Sequence, residues 1–436
     1  MTTLLIKGGR VVDSFSNFDG QADLLIKDGV IEALEKGLKP PSGSETIDAQ
    51  DLIVMPGLID MHVHLRDPGY EYKEDIITGS RAAAAGGFTA IAAMANTDPV
   101  CDNPTTIHYV LERAGNAAVN VYPIGALTKG LEGKEMAELG RMKNAGAIAF
   151  SDDGRPVVNG TIMRNAMQYA AGLDALVIAH EEDLDLAAKG MMHEGSVSSV
   201  LGLRGIPAFS EEAMLARDLM LLKTTGARLH IAHVSTAGSV QLIRRAKAEG
   251  LTVTAEVTPH HLLLTDRAVK NSGYNTNTKV KPPLRSEQDR QALWEGLLDG
   301  TIDAIASDHA PHHTDDKDVE FDFAPFGIAG LETTLPLLLD ELFSGRIKGL
   351  TLSLLVDKMS TAPARILGLN GGALQPGSAA DVTIVDPKRS FIVNPETWHS
   401  KSRNTPFAGR QLSGAPVWTI VGGSVVMKEG VIAEQE

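Results

Sequence analysis

The chain has a single cysteine, Cys101, in 436 residues. No intrachain disulfide can form, and a thiolate metal cage is excluded. A long basic run is also missing: 40 Lys and Arg stand against 55 Asp and Glu, for a formal net charge of -15. That balance argues against a nucleic-acid surface. An acidic protein that handles an anion must therefore concentrate positive charge locally, through arginine, lysine or metal. Long apolar runs are absent too. The most membrane-like window, 82–95, is broken by Gly86-Gly87 and Thr89 and is shorter than the roughly 20 residues of a spanning helix. The N-terminal MTTLLIKGGR shows no basic region leading into an apolar core, so no secretory signal is expected and the chain reads as cytoplasmic. No low-complexity tail is visible.

What is present is an ordinary globular composition, 43% hydrophobic and 22% charged. The 43 glycines suit many tight connections, as repeated strand-to-helix turns require. Residues 1–53 read as short strands with hairpin signals at Gly8-Gly9 and Asp28-Gly29. The C-terminal stretch 369–436 behaves similarly, with strands at 380–385 and at 417–421, the latter meeting 425–427 across Gly422-Gly423. Neither end holds enough strands for its own core, so the two are expected to join in one small β-sandwich.

Between them, over 54–368, strand and helix alternate. Apolar strands are expected at 58–64, 88–94, 120–125, 147–151, 176–179, 228–232, 252–258 and 302–307. Helical segments are expected at 72–85, 161–171, 211–224, 238–249 and 286–298. Eight βα units argue for a parallel sheet closed into a (β/α)8 TIM barrel. A doubly wound open sheet is the alternative, but no G-x-G-x-x-G opens a helix after a strand.

Chemistry in such barrels sits where strands end. The first strand carries His62 and His64, which share a face at i and i+2. The fourth ends in Ser151-Asp152-Asp153-Gly154, the fifth at His180, the sixth at His233 and the eighth in Ser307-Asp308-His309-Ala310-Pro311-His312. One histidine at a strand end is usually a polar cap. Four histidines and two aspartates on one rim are a ligand set. Nitrogen and oxygen donors make zinc the default ion, and the number of ligands allows one ion or two. Asp152 and Asp153 both qualify as a bridging carboxylate, and strand parity does not choose between them. His230, three residues before His233, faces the other way and reads as packing or surface. His108, His193, His313 and His399 lie off the rim; His260 and His261 read as supporting or structural.

These residues carry a resemblance. PGLIDMHVHLRDPG (56–69), MANTDP (94–99), FSDDG (150–154), AHEED (179–183), HVST (233–236), SDHAPH (307–312) and PFGIAGLET (325–333) together resemble the amidohydrolase superfamily, and within it the bacterial-type (class I) dihydroorotases. The match spans nearly the whole chain. It implies reversible, metal-dependent hydrolysis of (S)-dihydroorotate to N-carbamoyl-L-aspartate in pyrimidine biosynthesis. It also implies metal positions at His62, His64, Asp153, His180, His233 and Asp308. Asp153 is then the bridging ligand, where hydantoinases and animal-type dihydroorotases place a carboxylated lysine.

His64, Arg66, Asn96, His312 and the backbone at Phe326 and Gly327 match substrate contacts. Lys281 departs from the pattern, which favours asparagine, though its charge suits an anion. A homo-oligomer is the default expectation for a soluble enzyme; the resemblance adds aspartate carbamoyltransferase as a partner in some relatives, and no nucleic-acid or membrane partner is expected. Chemically, an amide needs a better nucleophile than water at neutral pH. Bound zinc lowers the pKa of water to about 7 and polarises the carbonyl. Asp308 is expected as general base and then acid. The competing readings are another cyclic amidohydrolase (an allantoinase, hydantoinase or dihydropyrimidinase) and a non-catalytic assembly subunit. The second sits badly with a complete histidine set.

Overall fold

The computed structural model describes residues 3–433. Eight strands form one all-parallel sheet in chain order: Leu58–Val63, Phe88–Ala93, Asn120–Gly125, Ala149–Ser151, Leu176–Ala179, Arg228–Ile231, Val253–Val257 and Ala304–Ile305. The ring closes where Val63 bridges His309 in parallel and the His64 amide donates to the His309 carbonyl at 2.9 Å. The strands read as unbroken apolar runs because both faces are covered: Leu58–Val63 and Phe88–Ala93 are buried at every position. Ile59, Met61, Ile124 and Ile178 pack inside the ring with Ile366 and Leu367 of the helix Ala362–Leu367. Larger side chains such as Leu58, Phe88, Val177 and Leu229 belong to the main core cluster, together with helix residues such as Ile76, Met167 and Ile243.

The barrel helices follow local signals. The segment expected as 72–85 begins only at Ile76, because Asp75 caps it: its Oδ1 accepts the Thr78 amide at 2.7 Å, and Thr78 Oγ1 accepts the Asp75 amide. Ser286 does the same for Glu287–Leu298, and Thr236 caps Ala237–Ala248. The membrane-like window resolves into the last turn of Ile76–Ala85, a turn at Gly86-Gly87 and the strand Phe88–Ala93. Among the described residues no helix is long and apolar enough to cross a membrane. Between the fifth and sixth strands lies an insertion that periodicity did not reveal, with short helices Leu184–Ala187 and Ser196–Leu201 and a two-strand sheet, Met192–His193 with Gly205–Ile206.

The two ends of the chain build one separate nine-stranded, mostly antiparallel sheet. Ile53–Pro56 joins them, pairing in parallel with Thr3–Asp13 and antiparallel with Val382–Ile392. Its core contains Leu24, Ile26, Val54, Ile384 and Ile420. Asp28-Gly29 and Gly422-Gly423 turn hairpins, as expected. Gly8-Gly9 does not. Thr3–Asp13 runs straight through as one strand with a register shift between Ile6 and Gly9, and Gly8, at φ 77°, takes the bulge conformation that favours glycine.

Candidate metal centre

Asp153 lies at the middle of the rim. Its Oδ2 stands 3.4 Å from Nε2 of both His62 and His64. Its Oδ1 stands 3.4 Å from His180 Nδ1 and 3.3 Å from His233 Nε2. Two ligand triads therefore share one carboxylate, and within each triad the donor atoms lie within 4.8 Å of one another. Asp308 Oδ1 joins the first pair, 3.1 Å from His64 Nε2 and 3.5 Å from His62 Nε2. Asp152 turns away: it accepts the Leu127 and Thr128 amides at 2.7 and 3.0 Å and the Thr128 hydroxyl. Of the two aspartates that parity left open, Asp153 is the one whose carboxylate lies among the histidines.

The donor set fits a divalent cation. His62 Nε2 and Asp153 Oδ1 are buried and have no hydrogen-bond partner, a deficit of about 1–3 kcal/mol each. Three buried carboxylates, Asp153, Asp308 and Glu256, crowd four histidines. Burial alone would lower His62, but Asp153, Glu256 and Asp308 outweigh it and raise it well above the ordinary histidine range. Burial likewise opposes ionisation of Asp153, yet the His62 charge and the close approach of His180 and His233 hold it well below the usual carboxylate range. Positive charge on His62 stands in for cationic charge that a metal would bring.

Three of the four histidines, His62, His64 and His180, face a polar partner from behind. His62 Nδ1 contacts Glu256 Oε1 at 2.6 Å, and Glu256 Oε2 contacts His230 Nε2 at 3.1 Å. His230 is therefore buried and supports the centre through Glu256. His64 Nδ1 donates to Asn96 Oδ1 at 2.9 Å, so Asn96 fixes that ring with its oxygen. His180 Nε2 faces Glu182 at 3.7 Å. Carboxylate or amide partners of this kind set ligand orientation and basicity. Sequence reading missed Glu256 and Glu182; the available signal was a lone acid inside the apolar strand Val253–Val257. His261 is structural, reaching Thr258 Oγ1 and the Pro282 carbonyl. His108, His193, His313 and His399 do not line the site.

A cavity of about 490 Å³ opens above the centre, lined by His64, Arg66, Asn96, Asp153, His180, His233, Lys281, Asp308, His312, Phe326 and Gly327 among others. His62 lies beneath it, fully buried. Arg66 donates from Nε to the Pro311 carbonyl at 3.2 Å, with no other side-chain hydrogen bond among the described residues, which leaves its Nη groups for a ligand. His312 is engaged at Nε2 by the Phe326 carbonyl at 2.8 Å, and Lys73 lies 3.5 Å from its Nδ1. Burial and the cations Arg66, Lys317 and Lys73 push it down to about 2, so it is neutral. Lys281 Nζ rests 2.7 Å from Glu182 Oε2 at the cavity wall.

Arg66, His233 and Asp308 are all left-handed, with φ of 62°, 33° and 45°. Such residues cost about 1–3 kcal/mol each. Burying one large apolar side chain returns about 1.5–3 kcal/mol, so the core below the rim readily sustains the strain.

Comparison with known proteins decides the family. Residues 51–239 match the family model described as dihydro-orotase-like. The chain is 56% identical to the dihydroorotase of Pelotomaculum thermopropionicum, covering 98% of this chain and 99% of that one. It is 54% identical to the dihydroorotase of Geobacter metallireducens, again over 98% and 99%. The chain belongs to the dihydroorotase family. Among solved structures it is similar to the L-hydantoinase (dihydropyrimidinase) of Arthrobacter aurescens, with a TM-score of 0.89 and 30% identity over 100% of this chain and 98% of that one. It is also similar to the dihydropyrimidinase of Brevibacillus agri, with a TM-score of 0.85 and 25% identity over 99% and 96%. Dihydroorotases and hydantoinases are both hydrolases of cyclic amides, and the barrel with its terminal sheet is the fold they share with this chain.

Proposed function

We propose that this chain is a class I dihydroorotase that interconverts (S)-dihydroorotate and N-carbamoyl-L-aspartate in pyrimidine biosynthesis. The observation that carries the reading is Arg66 with free Nη groups, beside two ligand triads that share Asp153. The substrate ring bears a carboxylate, and a guanidinium fork matches it in two parallel hydrogen bonds. A hydantoin or allantoin ring has no such group. The shared aspartate supports the same choice, because the hydantoinase pattern has a modified lysine there.

His62, His64 and Asp308 would hold one ion, His180 and His233 a second, with Asp153 between them. Nitrogen and oxygen donors favour zinc. When bound, the metal supplies Lewis acidity at the scissile carbonyl and acidifies water. Asp308, placed against the first histidine pair, takes the proton of the attacking water and returns it to the departing ring nitrogen. Arg66 binds the ring carboxylate, assisted by the free amide of Asn96 and by His312. The Phe326 and Gly327 backbone borders the ring. Lys281, whose Nζ lies 5.5 Å from the Phe326 ring centroid, adds positive charge beside it.

The same reading takes segments 1–53 and 369–436 as one terminal unit and 54–368 as the catalytic barrel, which lends most of the strand Ile53–Pro56 to the terminal sheet. It also takes the enzyme as a cytoplasmic homo-oligomer, with aspartate carbamoyltransferase as its candidate protein partner. Turnover of dihydroorotate in preference to hydantoin and allantoin tests it.

A further inference from the structure

Residues 310–333 cross the mouth of the barrel with one short helix, Thr314–Lys317, and no place in a sheet beyond single bridges. A connection of this length is mobile unless something fixes it, and its buried carbonyls need donors. Two lysines supply them. Lys317 Nζ donates to the carbonyls of Pro325 at 2.8 Å and Thr276 at 3.1 Å, with the Lys279 carbonyl at 3.5 Å. Lys279 Nζ reaches back to the carbonyls of Phe321 at 2.7 Å and Asp322 at 3.0 Å. Each side chain thus crosses from its own segment to the other. The Thr276 hydroxyl donates to the Lys317 carbonyl at 2.6 Å, and the Gly327 amide to the Lys279 carbonyl at 2.9 Å.

Both lysines are buried, at 3% and 7% exposure, where lysine is rarely found without an ion-pair partner. Here the acceptors are main-chain oxygens and the ring of Phe326, whose centroid is 4.9 Å from Lys279 Nζ. Asp322 and Asp316 act on them only through space, and burial lowers both groups, Lys317 to about 7. A surface lysine would pay nothing of this kind. The arrangement makes sense if the thing held matters, and what is held is the wall of the cavity. Gly327 has φ 148°, and a Cβ there would lie 2.7 Å from the Ala310 carbonyl oxygen and 2.9 Å from His312 Cδ2. The wall therefore sits in one tight position.

We propose that Lys279 and Lys317 form a reciprocal clasp that positions Phe326 and Gly327 against the substrate. They are positioning residues, because neither touches the metal ligands or lines the cavity. The substrate side of the inference rests on the dihydroorotase reading; the clasp itself does not.

The test uses the full-length, metal-loaded enzyme as wild type, K279M and K317M. Amide hydrogen exchange across 319–327 is measured alongside steady-state kinetics and metal content. Methionine keeps the stem and removes the donors. Each variant is expected to lose exchange protection in 319–327 with metal content unchanged. KM for dihydroorotate should rise about tenfold or more while kcat changes by less than about threefold. K317R should not restore KM, since a planar guanidinium cannot converge on the same carbonyls. Unchanged exchange in a folded K279M or K317M overturns the clasp, and so does a fall in kcat with constant KM. If one variant does not fold, the other decides. Should the wild type fail to turn over dihydroorotate, the functional reading falls while the exchange measurement still decides the clasp.

Discussion

Glu256 Oε1 lies 2.6 Å from His62 Nδ1, with both side chains fully buried and 194 positions apart in the chain. The contact fixes which nitrogen of His62 faces Asp153, and the second Glu256 oxygen is held by His230. Burial alone would raise Glu256, but His62 and His230 hold it down at about 2, so it is an anion. E256Q keeps the shape and removes that charge. Metal affinity is expected to fall about 10- to 100-fold, measured by competition with a chromophoric chelator. Affinity equal to wild type would make Glu256 a packing residue only.

Asp308 should separate chemistry from binding. In D308N the metal site retains His62, His64 and the shared Asp153, so most bound metal is expected to remain. The proton carrier is gone, and kcat should fall about 10²- to 10⁴-fold. Metal analysis with a kcat measurement checks both halves. Near-wild-type kcat would remove Asp308 from proton transfer.

Arg66 offers two Nη groups to a carboxylate from a left-handed backbone. R66K keeps the charge and loses the fork. For dihydroorotate, kcat/KM is expected to drop about 100-fold, equivalent to about 2.7 kcal/mol. The loss should be much smaller on an uncarboxylated ring. Equal losses on both rings would place the carboxylate elsewhere.

Glu332 predicts a pH dependence remote from the centre. Burial pushes its carboxyl up to about 8, against the His399 and Ser400 amides, which it accepts at 2.9 and 3.1 Å. The folded state therefore binds a proton that the unfolded chain releases near its ordinary value of 4.5. Stability from this group falls as pH rises from that value through about 8, and the full cost is present above it. E332Q keeps an acceptor for both amides and cannot ionise. Its melting temperature relative to wild type should be higher at pH 9 than at pH 5. A pH-independent difference would mean that Glu332 ionises as it does in water.

The barrel was legible because parallel strands covered on both faces are continuous apolar runs between glycines and polar residues. The rim was legible because histidines and aspartates followed those runs directly. What escaped depends on closure. Glu256 inside Val253–Val257 gains a role only when the sheet curls and brings it to His62. Nothing local to Lys279 or Lys317 says that a distant segment will bury them. Gly8-Gly9 looked like a turn because a bulge and a turn use the same residues, and only pairing with Phe18–Lys27 and Ile53–Pro56 separates them. The start of the helix at Ile76 was written in the Asp75 and Thr78 pair, a cap signal that apolar periodicity overran.

The most direct measurement is dihydroorotate hydrolysis by purified, metal-quantified protein, followed spectrophotometrically beside hydantoin and allantoin, alone and with aspartate carbamoyltransferase added. The account predicts turnover of dihydroorotate and little or none of the other two rings. Intact metal with no dihydroorotate turnover under either condition would contradict it.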